Sequence, residues 1–280
     1  MEYKVIARED SQYPQKLIER LGEECPDKIY YSGPLELLNH FTIAVICSDK
    51  SGGIHLMETN QLLFTMREYE MNFIGGWHSV IESEIFRLSL FRKYNTTTLF
   101  SAKGLEMETF DSFLLDRFFP PLHEFPERDE YFRRADDGEL LMLSVTGPKM
   151  KRQLRKNIME RNWISCNLAD IVFIPYGPRG SKTYTIAKRI VKTNIPVFTV
   201  DSSECEDLHR LGIPGFNRKT VKSFLLNNGA KIAESQDDRN KPLDLRTEIT
   251  NRQITFVKEP TQTSLKFEKD KKDKKSSHSK

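Results

Sequence analysis

Apolar residues along this chain fall into short continuous runs separated by longer stretches of helical period. FTIAVICS (41–48), MNFIG (71–75), TTLFSA (97–102), ELLMLSV (139–145), IVFIP (171–175) and IPVFTV (195–200) are such runs, most of them rich in β-branched or aromatic residues. They are too short for helices, and their lack of alternation is the pattern of strands buried on both faces. Residues 55–69, 80–92, 149–168 and 182–192 carry the helical period between them. Strands alternating with helices at this spacing predict βαβ units in an α/β, doubly wound, mostly parallel sheet. The stretch 104–131, rich in phenylalanine and proline, is read as a loop with a short helix packed over that sheet. The organisation that follows is an N-terminal extension (1–40) packed on the core, a sheet domain (41–233), and a linker with a tail (234–280).

Charge changes this picture only at the end of the chain. The protein has 280 residues and a net charge of +3, yet residues 266–280 hold seven lysines against Glu268, Asp270 and Asp273. The remainder is near neutral, so the basic character sits in a Lys/Ser tail too polar to offset the entropy of ordering. We read the tail as solvated and disordered, preceded by a polar linker with one short alternating segment, 253–257. A flexible cationic tail also adds sequence-independent attraction for phosphate polymers.

Cys25, Cys47, Cys166 and Cys205 stand far apart with no CxxC pair, and the six histidines are scattered. Neither a disulfide framework, nor a zinc site, nor any cofactor is implied. No apolar run approaches the roughly 20 residues that span a bilayer, and the N-terminus lacks an apolar signal region. These absences predict a cytoplasmic protein that does not engage a membrane.

The segment richest in chemistry is RNWISCNLADIVFIPYGPRGSKTYTIAKRI (161–190). An apolar strand feeds the loop Tyr176-Gly177-Pro178-Arg179-Gly180, and Ser181 stands at the N-cap of the next helix. Amide groups and the dipole at a helix start favour an anion, glycine permits close approach, and Ser181, Lys182 and Thr183 add donors. The loop matches neither GxxxxGK[ST] nor GxGxxG, which argues against a nucleotide-hydrolysing P-loop and an ordinary NAD site. By itself it reads equally as a serine-capped glycine turn. Upstream, Lys149, Lys151, Arg152, Arg155 and Lys156 form an acid-free cluster shortly before Arg161 and Asn162. A solvated helix face is the ordinary meaning of such a run, but its placement before the loop suits a polyanion. Trp77 and Trp163 are read as core residues rather than base-stacking platforms.

The order of these motifs resembles the DNA-processing protein A family (DprA, also called Smf). Tyr13-Pro14, Leu17, Pro26, Ile29-Tyr30, Gly33 and Leu38 are similar to the family's "YPxxL … P..LYxxG...LL" start. Residues 43–51 stand where it has "VGSR..S", which places Ser48 on the family's loop serine. Gly75-Gly76-Trp77 through Ile81-Glu82 resembles "SGLA.GID", and 97–105 resembles "GTIAVLG.GLD". Arg161-Asn162, Pro175, Gly180-Ser181 and Pro196-Val197-Phe198 follow "RNR … VVVEA..SGS..TA..A … VFAVPG", and Gly229-Ala230 matches the closing "GA". The resemblance implies a Rossmann-like domain that binds single-stranded DNA through phosphate-binding loops, helps load a RecA-type recombinase, and forms a homodimer. Phosphate contacts then fall to Gly177, Arg179, Gly180, Ser181, Lys182, Thr183, Arg161, Asn162 and Ser48, with Lys151, Arg152 and Arg155 adding charge.

The departures are specific. Cys47 and Asp49 replace the family's loop glycine and arginine, Ile158 replaces a stacking aromatic, and Val80 and Glu82 replace the glycine and aspartate of "GID". They predict a first loop degraded as a phosphate site and a second, 177–183, that persists. The leading reading is a non-catalytic single-stranded DNA-binding protein of DNA uptake and recombination. The alternative is a sensor of a small nucleotide-derived ligand, favoured by the near-neutral body and by Asp49 as an acceptor for a ribose hydroxyl. Phosphoribohydrolase chemistry is the weakest reading, because no carboxylate follows the loop on the helix.

Overall fold

The computed structural model of the chain describes residues 2–117 and 128–233. The linker, the alternating segment 253–257 and the lysine tail lie outside them, as do residues 118–127. Ten strands among the described residues form one sheet. Two of them, β1 (Lys4–Ala7) and β2 (Lys28–Ser32), come from the N-terminal extension and pair antiparallel at one edge. The six apolar runs become β3 (Thr42–Val45), β4 (Tyr69–Gly75), β5 (Asn95–Phe100), β6 (Leu140–Ser144), β7 (Ile171–Phe173) and β8 (Val197–Val200), all parallel to their neighbours in this set. β9 (Gly215–Phe216) extends the far edge in parallel, and β10 (Lys231–Ile232) pairs antiparallel with the first residues of β4.

Alternate strand residues supply two separate cores, which is why the runs show no alternation in sequence. Ile43 and Val45 of β3, Leu140 and Met142 of β6, and Ile171 and Phe173 of β7 face one core. Ala44, Leu141, Leu143 and Val172 face the other. The first core is covered by α2 (Gly53–Met66), α3 (Val80–Leu90), α4 (Phe110–Arg117), α5 (Arg128–Asp136) and α9 (Val221–Asn227). The second lies under α1 (Gln15–Leu21), α6 (Arg155–Leu168), α7 (Lys182–Ile190) and the short α8 (Glu206–His209). Both tryptophans pack. Trp77 is fully buried and donates its indole N–H to the Thr98 carbonyl at 3.2 Å, while Trp163 lies beneath the Arg189 guanidinium.

Strand order across the sheet is β1-β2-β6-β5-β4-β3-β7-β8-β9. From β3 the chain winds outward through β4, β5 and β6, then crosses back to β7 on the other side of β3 and winds outward again. The reversal between β3 and β7 is a topological switch point, where open α/β sheets leave a crevice at the carboxyl ends of their strands.

Three expectations from the pattern are corrected. The stretch 149–168 is not one helix: α6 begins only at Arg155, behind an extended Leu154. The carbonyls of Pro148 and Met150 accept from the amides of Glu106 and Gly104 at 3.1 and 3.0 Å, so the loop after β5 takes the groups a longer helix would need. The stretch 55–69 is also shorter as a helix, since α2 stops at Met66 and Tyr69 and Glu70 pair with β10. Among the described residues of 104–131 there are two helices rather than one, α4 and the start of α5, joined where the Tyr131 hydroxyl donates to the Phe110 carbonyl at 2.9 Å.

A candidate anion-binding cleft at the switch point

A cleft of about 1040 Å³ opens at the reversal, bordered by the loops after β3, β4 and β7 and by the start of α6. It draws Lys50, Arg155, Arg161, Arg179 and Lys182 together, against Asp49 and Glu82. Five cations facing two acids, in a protein body near neutrality, concentrate positive potential where a ligand would enter.

The loop after β7 is built as its sequence requires. Gly180 has φ +83, a left-handed turn that other residues adopt at a cost. Ser181 caps α7, its hydroxyl accepting the Tyr184 amide at 2.9 Å. The geometry of a helix start leaves the amides of Lys182 and Thr183 without intrahelical acceptors. The Arg179 amide, by contrast, donates to the Asp207 carboxylate at 2.8 Å, and the Ser181 amide to the Pro178 carbonyl at 3.0 Å. Part of the glycine turn is therefore satisfied by the protein itself.

The loop after β3 is organised differently. Ser48 is buried and passes its amide to the Tyr176 carbonyl at 3.0 Å, tying the two loops together. Asp49 and Lys50 are exposed at the rim. The Cys47 amide turns inward to Glu82 Oε1 at 2.7 Å, and Glu82 Oε2 accepts the amides of His78 at 2.8 Å and Ser79 at 3.4 Å. Burial pushes the Glu82 carboxyl up from its ordinary value, opposed by Arg161 and by those three amides. Burial, with Glu82 nearby, also pushes the Cys47 thiol far above its ordinary range, so this thiol is no nucleophile near neutral pH.

Of the residues expected at the site, Ser48, Arg155, Arg161, Asn162, Arg179, Gly180, Ser181, Lys182 and Thr183 line the cleft. Arg161 is 3% exposed, and a Cβ added at Gly76 would fall 1.4 Å from its Nη1. It is part of the cleft's floor. Gly177 is buried beneath the loop, where a Cβ would meet Thr183 at 3.1 Å and Leu208 at 3.3 Å, so it serves packing. Lys151 and Arg152 are exposed on the turn before α6 and lie outside the lining. Sequence reasoning missed Lys50, His78, Gln153 and Glu82 as lining residues. Only Glu82 carried a signal, in the capping box Ser79-x-x-Glu82. Among the described residues, no His/Cys/Asp/Glu group could hold a metal ion, and no helix is long and apolar enough to cross a membrane.

Fold and cleft together define a doubly wound, Rossmann-like protein with an open, cation-lined cleft at the switch point. No protein-family model and no curated protein matches the chain. Solved structures do. DNA processing protein A (DprA) from Streptococcus pneumoniae aligns over 80% of this chain and 74% of its own with a TM-score of 0.61 at 19% identity. DNA processing protein A from Helicobacter pylori, described for its single-stranded DNA binding mode, aligns over 81% of this chain and 97% of its own with a TM-score of 0.59 at 17% identity. The chain has the DprA-like fold.

Proposed function

We propose that the chain is a DprA-type DNA-processing protein that binds single-stranded DNA by its phosphates, without catalysing a reaction, in DNA uptake and recombination. One observation carries this reading: Lys182, Arg179 and Arg155 converge with the capped start of α7 on a single cleft at the switch point. Helix-start amides and three cations suit phosphate oxygens, and the open cleft admits a strand. The fold shared with a protein described as binding single-stranded DNA supports the same reading. On this reading a RecA-type recombinase receives the strand and a second copy of the chain completes a homodimer, which sedimentation of the chain with DNA and recombinase measures. The test of the site is a salt titration of oligonucleotide binding. Affinity falls steeply from low to moderate salt, and a flat response sinks the reading.

Asp49, exposed at the rim beside these cations, favours a second reading in which the cleft senses a small nucleotide-derived ligand and Asp49 accepts a sugar hydroxyl. Calorimetry with mononucleotides against oligonucleotides separates the two.

A further inference from the structure

A capping-box glutamate needs one oxygen for one amide. Glu82 does more than that. Its bond to the N-cap residue Ser79 is the longest of three, at 3.4 Å, and the shorter two reach the loop after β3, at Cys47, and the start of the β4 loop, at His78. Both carboxylate oxygens therefore act as acceptors. Arg161 adds a positive charge on the same side, and its guanidinium fills the space over Gly76 that any side chain there would take. Three amides converge on one carboxylate that is 5% exposed, with the charge of Arg161, whose Nη1 donates to the Phe100 carbonyl at 3.3 Å, close by; this is the donor set of an anion site.

We infer that Glu82 is the positioning residue of the cleft: its carboxylate fills an anion site built from the amides of Cys47, His78 and Ser79 together with Arg161, holding the β3 and β4 loops in place and leaving the ligand only the site at the start of α7. The switch point thus has two anion sites, one taken permanently by the protein. An external phosphate meets Lys182 and Arg155, while Arg161 shapes the floor without contacting it. This deepens the phosphate-binding reading and rests on it for the ligand, but the internal site stands on its own hydrogen bonds.

The test is chemical rescue. Glu82→Ala opens a space lined by the same donors, and a small carboxylate should enter it. Sodium formate, compared with sodium chloride at equal ionic strength, raises the melting temperature of Glu82→Ala by about 2–4 °C and leaves the wild-type protein unmoved. Oligonucleotide affinity, lowered at least tenfold in Glu82→Ala, returns toward wild type in formate. If formate and chloride act alike on the melting temperature, the internal anion site is wrong. Failure of the wild-type chain to bind an oligonucleotide would overturn the proposed function instead, with the formate-dependent melting still deciding this inference. Should Glu82→Ala not fold, Glu82→Gln decides: a lower melting temperature supports the inference, because one donor then faces an N–H group. Wild-type melting and wild-type affinity in Glu82→Gln overturn it.

Discussion

The loops after β3 and β7 occupy equivalent positions on either side of the switch point, and each gives an amide to an internal carboxylate, yet they differ in what else they present to the cleft. The β7 loop ends in a serine-capped helix start, turns through Gly180, and places Lys182 and Arg179 on the cleft. The β3 loop spends its amides inside the protein, Cys47 on Glu82 and Ser48 on Tyr176, and shows Asp49 to solvent. Topology thus puts two loops where ligands bind, but the hydrogen-bond partners of their amides decide which one is available. A switch point supplies an address, and local side chains determine what is received there.

The largest effect on this contrast is expected at Gly76. Gly76→Ala drives a methyl into the Arg161 guanidinium, which is buried and cannot swing freely away. Overpacking of this kind costs about 1–3 kcal/mol, so thermal unfolding of the variant falls by several degrees and oligonucleotide affinity falls with it. A variant with wild-type melting would show that Arg161 is not held as described.

The contrast sharpens with the β7 side. Lys182→Ala and Arg155→Ala each remove a cation from the cleft, and each lowers the slope of log affinity against log salt by about 1. Filter binding across a salt series measures this. Slopes equal to wild type in both variants would move the phosphates elsewhere.

Asp49→Lys tests the β3 side from the rim. Replacing the acid raises affinity for an oligonucleotide about fivefold, since one more cation faces the phosphates, and steepens the same slope. If Asp49 instead receives a sugar hydroxyl, the substitution weakens mononucleotide binding, and calorimetry reads that loss directly. The smallest effect belongs to Lys151→Ala with Arg152→Ala, exposed residues outside the cleft lining. This double variant stays within about twofold of wild type, because exposed charges outside the lining act only through screened solvent. A loss as large as that of Lys182→Ala would enlarge the binding surface to the turn before α6.

The central strands were legible because a strand buried on both faces cannot alternate, and 41–48 or 171–175 have no other reading that fits their length. Short edge strands such as β1, β9 and β10 left no such trace. Their patterns are partly exposed, and β10 exists only because β4 extends past β5 to pair with it. The start of α6 was misplaced because the helical period continues through 149–154, whereas Pro148 and Met150 give their carbonyls to a loop distant in sequence. At the site, the serine cap and the left-handed Gly180 were visible as local chemistry. The Asp207 carboxylate on the Arg179 amide was not, since α8 lies 28 residues further along the chain.

Local sequence, then, determined the class of fold, the existence of the capped glycine turn at 177–183, and the presence of an acid, Asp49, in the β3 loop. These rest on periodicity, backbone preference and charge, which act over a few neighbouring residues. Tertiary structure alone decided that Arg155, Arg161, Lys182 and Asp49 share one cleft, that Gly177 packs while Gly180 faces outward, and that Glu82 accepts the amides of Cys47, His78 and Ser79. Those facts depend on which amides and side chains meet across the switch point, and such meetings are set by the winding of the whole sheet.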